Sequence, residues 1–200
     1  MLVTLSGVTG TGKSFFKDAI SKKLNFKNLA IVTTRPKRKN EVNGIDKEFV
    51  DDINFEKMKN EKKIVVDFEF LGAKYAYRKN NLLLDENQVT EVHYSTIYEF
   101  KKNAKNVFAI YMIPDDLERA KQELRKRNLS KEVEQKRLQE IDEHIKEYYN
   151  NKELQKQFDY VFVNNYTEES KNKLIQVIKD KLENGNGWKI ITGFQPSLSC

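Results

Sequence analysis

Cysteine is nearly absent from this chain: the only one is the final residue, Cys200. That excludes an internal disulfide and a cysteine-ligated zinc cluster, and it fits a reducing, cytoplasmic setting. Histidine is almost as scarce. His93 and His144 stand without catalytic or metal-ligating partners in sequence, so both read as core or surface residues. Long apolar runs are missing too. None approaches the roughly 20 residues that cross a bilayer, and the N-terminus enters a strand directly instead of a leader, so neither a membrane partner nor export is expected. Two of the three prolines punctuate the chain, Pro36 within a basic loop and Pro114 at the end of an apolar run. Glycine numbers only eight, yet Gly7, Gly10 and Gly12 crowd into one stretch near the start.

That stretch, Gly7-Val8-Thr9-Gly10-Thr11-Gly12-Lys13-Ser14, follows the apolar run Leu2-Val3-Thr4-Leu5 and opens a helix-like segment running to Ile20. Glycines let the backbone turn tightly with its N–H groups inward, so amide dipoles and a helix N-terminus converge on one anion. In a phosphate-binding loop of this spacing, Lys13 reaches the β- and γ-phosphates of a nucleotide and the Ser14 hydroxyl is placed to hold Mg²⁺. The rest of the composition agrees. A hydrophobic fraction of 38% over 200 residues suits one domain with its own core, and a net charge of +6 favours phosphorylated ligands.

Beyond the first helix, Leu29-Ala30-Ile31-Val32-Thr33 is short, apolar and β-branched, and predicts a second buried strand. It leads into a loop with Pro and Asn-Gly turn signals, in which Arg35 and Arg38 have the planar forks that clamp a phosphate; a solvated basic turn is the plainer reading. Ile64 to Phe70 and Lys74 to Tyr77 predict paired strands of a small sheet. Leu82-Leu83-Leu84-Asp85 and Val89-Thr90-Glu91-Val92 compete for the next core strand. Ser95 to Ala104 predicts a helix, Val107 to Ile113 a strand buried on both faces, and Asp115 an N-cap for the helix that follows. Val133, Ile141, Ile145 and Tyr148 line one face of a long helix, Asp159 to Val163 forms another core strand, and Thr167 caps a last amphipathic helix. Trp188 to Phe194 predicts a short appended strand.

The ordered pair Ser6 to Ser14 and Thr33-Thr34-Arg35-Pro36-Lys37-Arg38, followed by Glu41-Val42-Asn43-Gly44-Ile45-Asp46, resembles a guanylate kinase, over roughly residues 1–183. The resemblance implies a three-layer α/β domain of the P-loop type over residues 1–184, with a mostly parallel sheet. It also implies a small insertion for a nucleoside monophosphate near 34–88, a lid near 125–137, and a tail at 185–200. It implies ATP-dependent phosphoryl transfer to GMP or dGMP, with ATP on Gly7, Val8, Thr9, Gly10, Thr11, Gly12, Lys13 and Ser14 and with Asn164 near the adenine. Arg35, Arg38, Glu41, Asp67 and Tyr75 fall to the acceptor, and Arg38, Arg127 and Arg137 join Lys13 at the transferring group. Counting back from Pro114 favours Glu91, together with Ser14, as the group that serves Mg²⁺. The alternatives are a kinase for another monophosphate and a protein-binding module that has lost catalysis. Nucleic acid is disfavoured because the basic residues gather at the expected phosphate sites.

The chain departs from the family where the base is read. Ile31 replaces a serine, Lys47 a tyrosine, Val66 the guanine-binding glutamate with Asp67 beside it, Tyr77 a small hydroxyl residue, and His93 an acid. Phosphate gripping is therefore expected to survive better than guanine selection.

Overall fold

The N-terminal apolar run lacks the alternation of a half-exposed strand, and it forms the middle strand of a parallel sheet covered on both faces. The computed structural model describes residues 1–38, 41–44, 47–70 and 72–185. In chain order these form β1 (Leu2–Gly7), α1 (Lys13–Leu24), β2 (Lys27–Asn28), β3 (Ile31–Thr33), β4 (Lys47–Phe49), α2 (Asp52–Asn60), β5 (Ile64–Phe70), β6 (Ala73–Arg78) and α3 (Lys79–Leu82). There follow β7 (Gln88–Glu91), α4 (Ile97–Asn103), β8 (Val107–Pro114), α5 (Leu117–Arg125), α6 (Lys131–Asn150), α7 (Lys152–Gln155), β9 (Tyr160–Asn164) and α8 (Glu168–Asn184).

The main sheet has the order β2-β7-β1-β8-β9 and is parallel throughout. Side chains alternate across it, so Val3, Leu5, Val89, Phe108, Ile110, Met112 and Phe162 pack with Phe16 and Ile20 of α1 and Leu174 and Ile178 of α8. Ala109, Tyr111 and Ile113 point the other way, onto Phe100 of α4, Leu124 of α5 and Ile141, Ile145 and Tyr148 of α6. This is a three-layer α/β fold. Truncating Phe16, 1% exposed and 5.1 Å edge-on to Phe162, is worth about 3–5 kcal/mol of stability.

A second sheet, β4-β3-β6-β5, stands beside the first. Its outer face packs Val32, Ile64 and Ala76 on Phe55 and Met58 of α2. Its inner face follows from register: Ile31 aligns with Lys47 and Tyr77, and Thr33 with Phe49 and Tyr75, so all six side chains point the same way. The Tyr77 hydroxyl crosses from this face to donate to the Glu91 carbonyl at 2.9 Å, which turns the face toward the end of β7.

Three expectations change, and the choice of core strand falls as favoured. Leu29 to Thr33 is not one strand: the Leu29 N–H donates to Val89 in the main sheet at 2.9 Å, whereas Ile31–Thr33 belongs to the small sheet. The run is apolar because the chain is buried as it passes between sheets. Leu82 closes α3 and the core strand is Gln88–Glu91, which decides between the two competing segments. The N-cap of α5 is Asp116, whose carboxylate accepts from the Glu118 N–H at 2.9 Å; the Asp115 N–H is still tied to Asn164 of β9 at 3.0 Å. Val133 is 43% exposed because the first turn of α6 precedes the part that covers the sheet, while Ile141, Ile145 and Tyr148 are buried. Thr167 caps α8 as expected, accepting from the Ser170 N–H at 3.1 Å. The strand expected at Trp188 to Phe194 lies outside the described residues. Among the described residues no helix is long and apolar enough to cross a membrane.

Candidate active site at the carboxyl ends of the strands

The glycine-rich loop leaves the carboxyl end of β1 and is wedged between neighbouring backbones. Gly7 has φ 134°, and a Cβ there would sit 2.1 Å from the Met112 carbonyl oxygen of β8. Gly10 has φ 90°, and a Cβ there would meet the Ala120 carbonyl of α5 at 2.3 Å. Only glycine satisfies both the conformation and the close approach. Within the loop the buried Thr11 hydroxyl donates to the Val8 carbonyl at 2.9 Å. From behind, Asn164 Nδ2 donates to the Thr11 carbonyl at 3.1 Å and the Tyr166 hydroxyl to the Gly10 carbonyl at 3.1 Å. Asn164 is 2% exposed, so it braces the loop from beneath instead of presenting its amide to the cleft. Tyr166 was not singled out by sequence; its ring carries the Arg119 guanidinium at 5.0 Å, and only the fold brings it under the loop.

Lys13 begins α1, and its ammonium donates to the carbonyls of Gly7 at 2.9 Å and Val8 at 2.8 Å, which holds it over the loop. Burial lowers its pKa to about 8. The nearby Glu91 carboxylate works against this shift, and the charges of Arg127 and Arg137 add to it. Arg127 is lowered as well, first by partial burial and then by Arg137 and Arg38. The charges of Glu91, Arg127 and Arg137 are thus close enough to bear on Lys13, and those of Arg137, Arg38 and Glu91 on Arg127. Ser14, next to Lys13, is exposed and its hydroxyl has no partner among the described residues. Glu91 ends β7, with one carboxylate oxygen 3.9 Å from the Lys17 ammonium one turn along α1.

The acceptor-side candidates divide. Arg35 pairs with Glu41 at 2.6 Å, lies over the Phe49 ring at 5.4 Å and donates to the Pro36 carbonyl at 2.7 Å. The other oxygen of Glu41 accepts from the Arg38 N–H at 2.8 Å. The bond from Arg35 holds the Glu41 carboxyl down at about 2 against the opposing effect of burial, with the Arg38 N–H helping. Glu41 therefore ties the Arg35 guanidinium to the backbone of Arg38. Tyr75 joins this face of the small sheet.

Asp67 does not join it. Val65 pairs with Tyr77 and Phe68 with Tyr75, so Val66 and Asp67 together oppose Ala76 in a bulge with Val66 at φ 55°. The bulge buries Val66 and sends the exposed Asp67 to an ion pair with Lys59 on α2. Lys47 takes a place on the inner face, partly buried. Burial lowers its pKa; the nearby Glu91 carboxylate works against that shift and the Lys17 and Arg35 charges reinforce it, which puts the ammonium beside the clamp.

A glycine-rich loop wedged between a strand and a helix N-terminus, with a partly buried lysine folded over it, defines a P-loop type of domain. The family model for guanylate kinase matches residues 1–181, and the chain belongs to that family. It is 28% identical over 183 residues to the guanylate kinase of Rickettsia typhi, covering 89% of this chain and 90% of the relative. It is 29% identical over 174 residues to a guanylate kinase of Thermus thermophilus, covering 84% and 76%. The crystal structure of guanylate kinase from Anaplasma phagocytophilum superposes with a TM-score of 0.66 at 21% identity, covering 90% of this chain and 85% of that one, and shares the fold.

Proposed function

We propose that the protein is an ATP-dependent nucleoside monophosphate kinase that converts GMP and dGMP to their diphosphates, with residues 34–88 receiving the acceptor and 125–137 acting as a lid. What supports this reading is the glycine loop wedged against Met112 and Ala120, with the Lys13 ammonium held over it and the charges of Arg127 and Arg137 near enough to bear on that ammonium. Transfer needs little covalent help from a protein; it needs two phosphates held in line and cations where charge spreads over the moving group. The loop amides and Lys13 hold the donor's β- and γ-phosphates. Arg35, fixed by Glu41, and Arg38 grip the acceptor phosphate with Tyr75. An acceptor phosphate oxygen bonds to the γ-phosphorus as the bond to the β–γ bridging oxygen breaks, and ADP leaves with that electron pair. Arg127 and Arg137 stabilise the charge developed on the three equatorial oxygens. The exposed Ser14 hydroxyl would hold a Mg²⁺ ion, with Glu91 as the nearby carboxylate, and a bound ion would supply positive charge that offsets the phosphates. Closing residues 125–137 over the donor excludes water as a competing acceptor.

The test is ADP production from Mg²⁺-ATP across GMP, dGMP, AMP, CMP, UMP and dTMP. Turnover with GMP and dGMP that Lys13→Ala reduces at least a thousandfold, with the fold intact by circular dichroism, is the expected result. ATP binding with no transfer to any acceptor would refute it.

A further inference from the structure

Beside the phosphate clamp the cleft is walled by rings. Phe68 of β5 lies over Tyr75 of β6 at 5.2 Å with 15° between the planes, and 6.1 Å from His93 at 27°. Phe70 lies 5.5 Å from His93 and carries the Arg137 guanidinium on its face at 5.1 Å. Phe68, Phe70, Tyr75 and His93 are all partly exposed, so the rings form a surface and not a closed core. The bulge at Val66 and Asp67 produces this wall, since it brings Phe68 level with Tyr75 on the inner face.

Among the described residues the wall lacks a carboxylate to read a base edge. Asp67 is paired with Lys59 outside, and Glu69, aligned with Lys74, alternates onto the α2 face. Glu140 pairs with Arg137 at 3.4 Å, and Glu147 accepts the Tyr94 hydroxyl. The Tyr77 hydroxyl is spent on the Glu91 carbonyl, and Nδ1 of His93 on the Ser95 hydroxyl at 2.7 Å. Burial, with help from His144, holds His93 down at about 4, so the imidazole is neutral at pH 7. Guanine presents an N1–H donor, a 2-amino donor and an O6 acceptor where adenine has an N1 acceptor and a 6-amino donor, and among the described residues no carboxylate on this wall accepts from the two guanine donors.

We infer that the acceptor base is gripped by its faces and not read along its edge, with Phe68 setting its affinity, so that the enzyme accepts purine nucleoside monophosphates as a class. This rests on the kinase reading above. Sites that pair buried polar groups with a base edge discriminate by about 10⁴–10⁵, whereas face stacking tolerates any base and is worth about 5- to 150-fold. GMP, IMP and AMP should therefore be used with kcat/KM values within about tenfold of one another. Pyrimidine monophosphates, with smaller faces, should trail.

The experiment measures kcat and KM for GMP, IMP, AMP and CMP in the wild type, Phe68→Ala and Phe68→Trp, with Mg²⁺-ATP thermal stabilisation as a check on the loop. Phe68→Ala should raise KM for the three purines by one common factor of about 10–100 with kcat held, and Phe68→Trp should keep KM near wild type. A GMP preference over AMP above about 10³, or unequal effects of Phe68→Ala on the purines, overturns the inference while leaving the kinase reading intact. No turnover with any monophosphate overturns both.

Discussion

Removing the charge of Glu41 tests the acceptor clamp through its pH dependence. In Glu41→Gln the amide keeps the shape but loses the charge that accepts from the Arg35 guanidinium at 2.6 Å and the Arg38 N–H at 2.8 Å. The wild-type carboxyl is held at about 2 in the folded protein against an ordinary value of 4.5, a difference equivalent to about 3 kcal/mol at full strength. The pair sits at the rim of the cleft, with side chains 16% and 17% exposed, and solvent screening reduces this to about 1–2 kcal/mol. Because the folded value is the depressed one, the contribution is fully present above about pH 5, falls by roughly half near pH 3, and is gone below pH 2. Urea unfolding of wild type and Glu41→Gln at pH 7 and pH 3 measures it. The variant should be about 1–2 kcal/mol less stable at pH 7, with the gap narrowing at pH 3. A gap that is the same at both pH values would mean that the clamp is held by shape alone and refute the electrostatic account.

Two further perturbations separate the acceptor clamp from the donor loop. Lys47→Ala should raise KM for the acceptor monophosphate about tenfold and leave KM for ATP unchanged, because the ammonium lies beside Arg35 and Glu41 on the inner face of the small sheet; steady-state kinetics with each substrate varied in turn decides it, and equal changes in both constants would remove Lys47 from the acceptor side. Gly10→Ala should cost about 2–4 kcal/mol in urea unfolding and abolish Mg²⁺-ATP stabilisation, since its Cβ would have to displace the Ala120 carbonyl of α5; a stable variant that still binds ATP would show that the loop can shift without losing its amide geometry.

What could be read from sequence was local. The phosphate loop is eight contiguous residues between an apolar strand and a helix, and each of its constraints acts within that span. The three-layer fold followed from apolar runs without alternation, such as Val107 to Ile113, which declare a sheet covered on both sides. Where a feature depends on how distant segments meet, sequence was a weaker guide. The cap moved from Asp115 to Asp116 because β8 pairs with β9 one residue further than periodicity indicates. Asp67 was displaced by a bulge centred on a β-branched residue at positive φ, a conformation that valine adopts only under tertiary pressure and that no local pattern announces. The ring wall brings positions 68, 70 and 75 together through strand register and adds His93 from the turn after β7, and Asn164 and Tyr166 reach the loop from the far edge of the sheet.

The two ends of the cleft are built to different tolerances, and this explains where the sequence holds to its family and where it departs. The donor loop is fixed on four sides, by the backbones of Met112 and Ala120 and by the side chains of Asn164 and Tyr166, so any change there must be absorbed by the main sheet. The acceptor side stands on a small sheet whose inner face is free to change residue by residue as long as its arginines stay. Cations also arrive from three separate places, the loop after β3, the turn after α5 and the second turn of α6; burial is the first cause that lowers Lys13 and Arg127, and the charges of Arg127 and Arg137 on Lys13, and of Arg137 and Arg38 on Arg127, add to it. Such crowding costs stability in the protein alone and is relieved by any ligand carrying several negative charges. On the kinase reading proposed above, the electrostatics favour phosphate at both ends, and the identity of the base is left to the rings beside them.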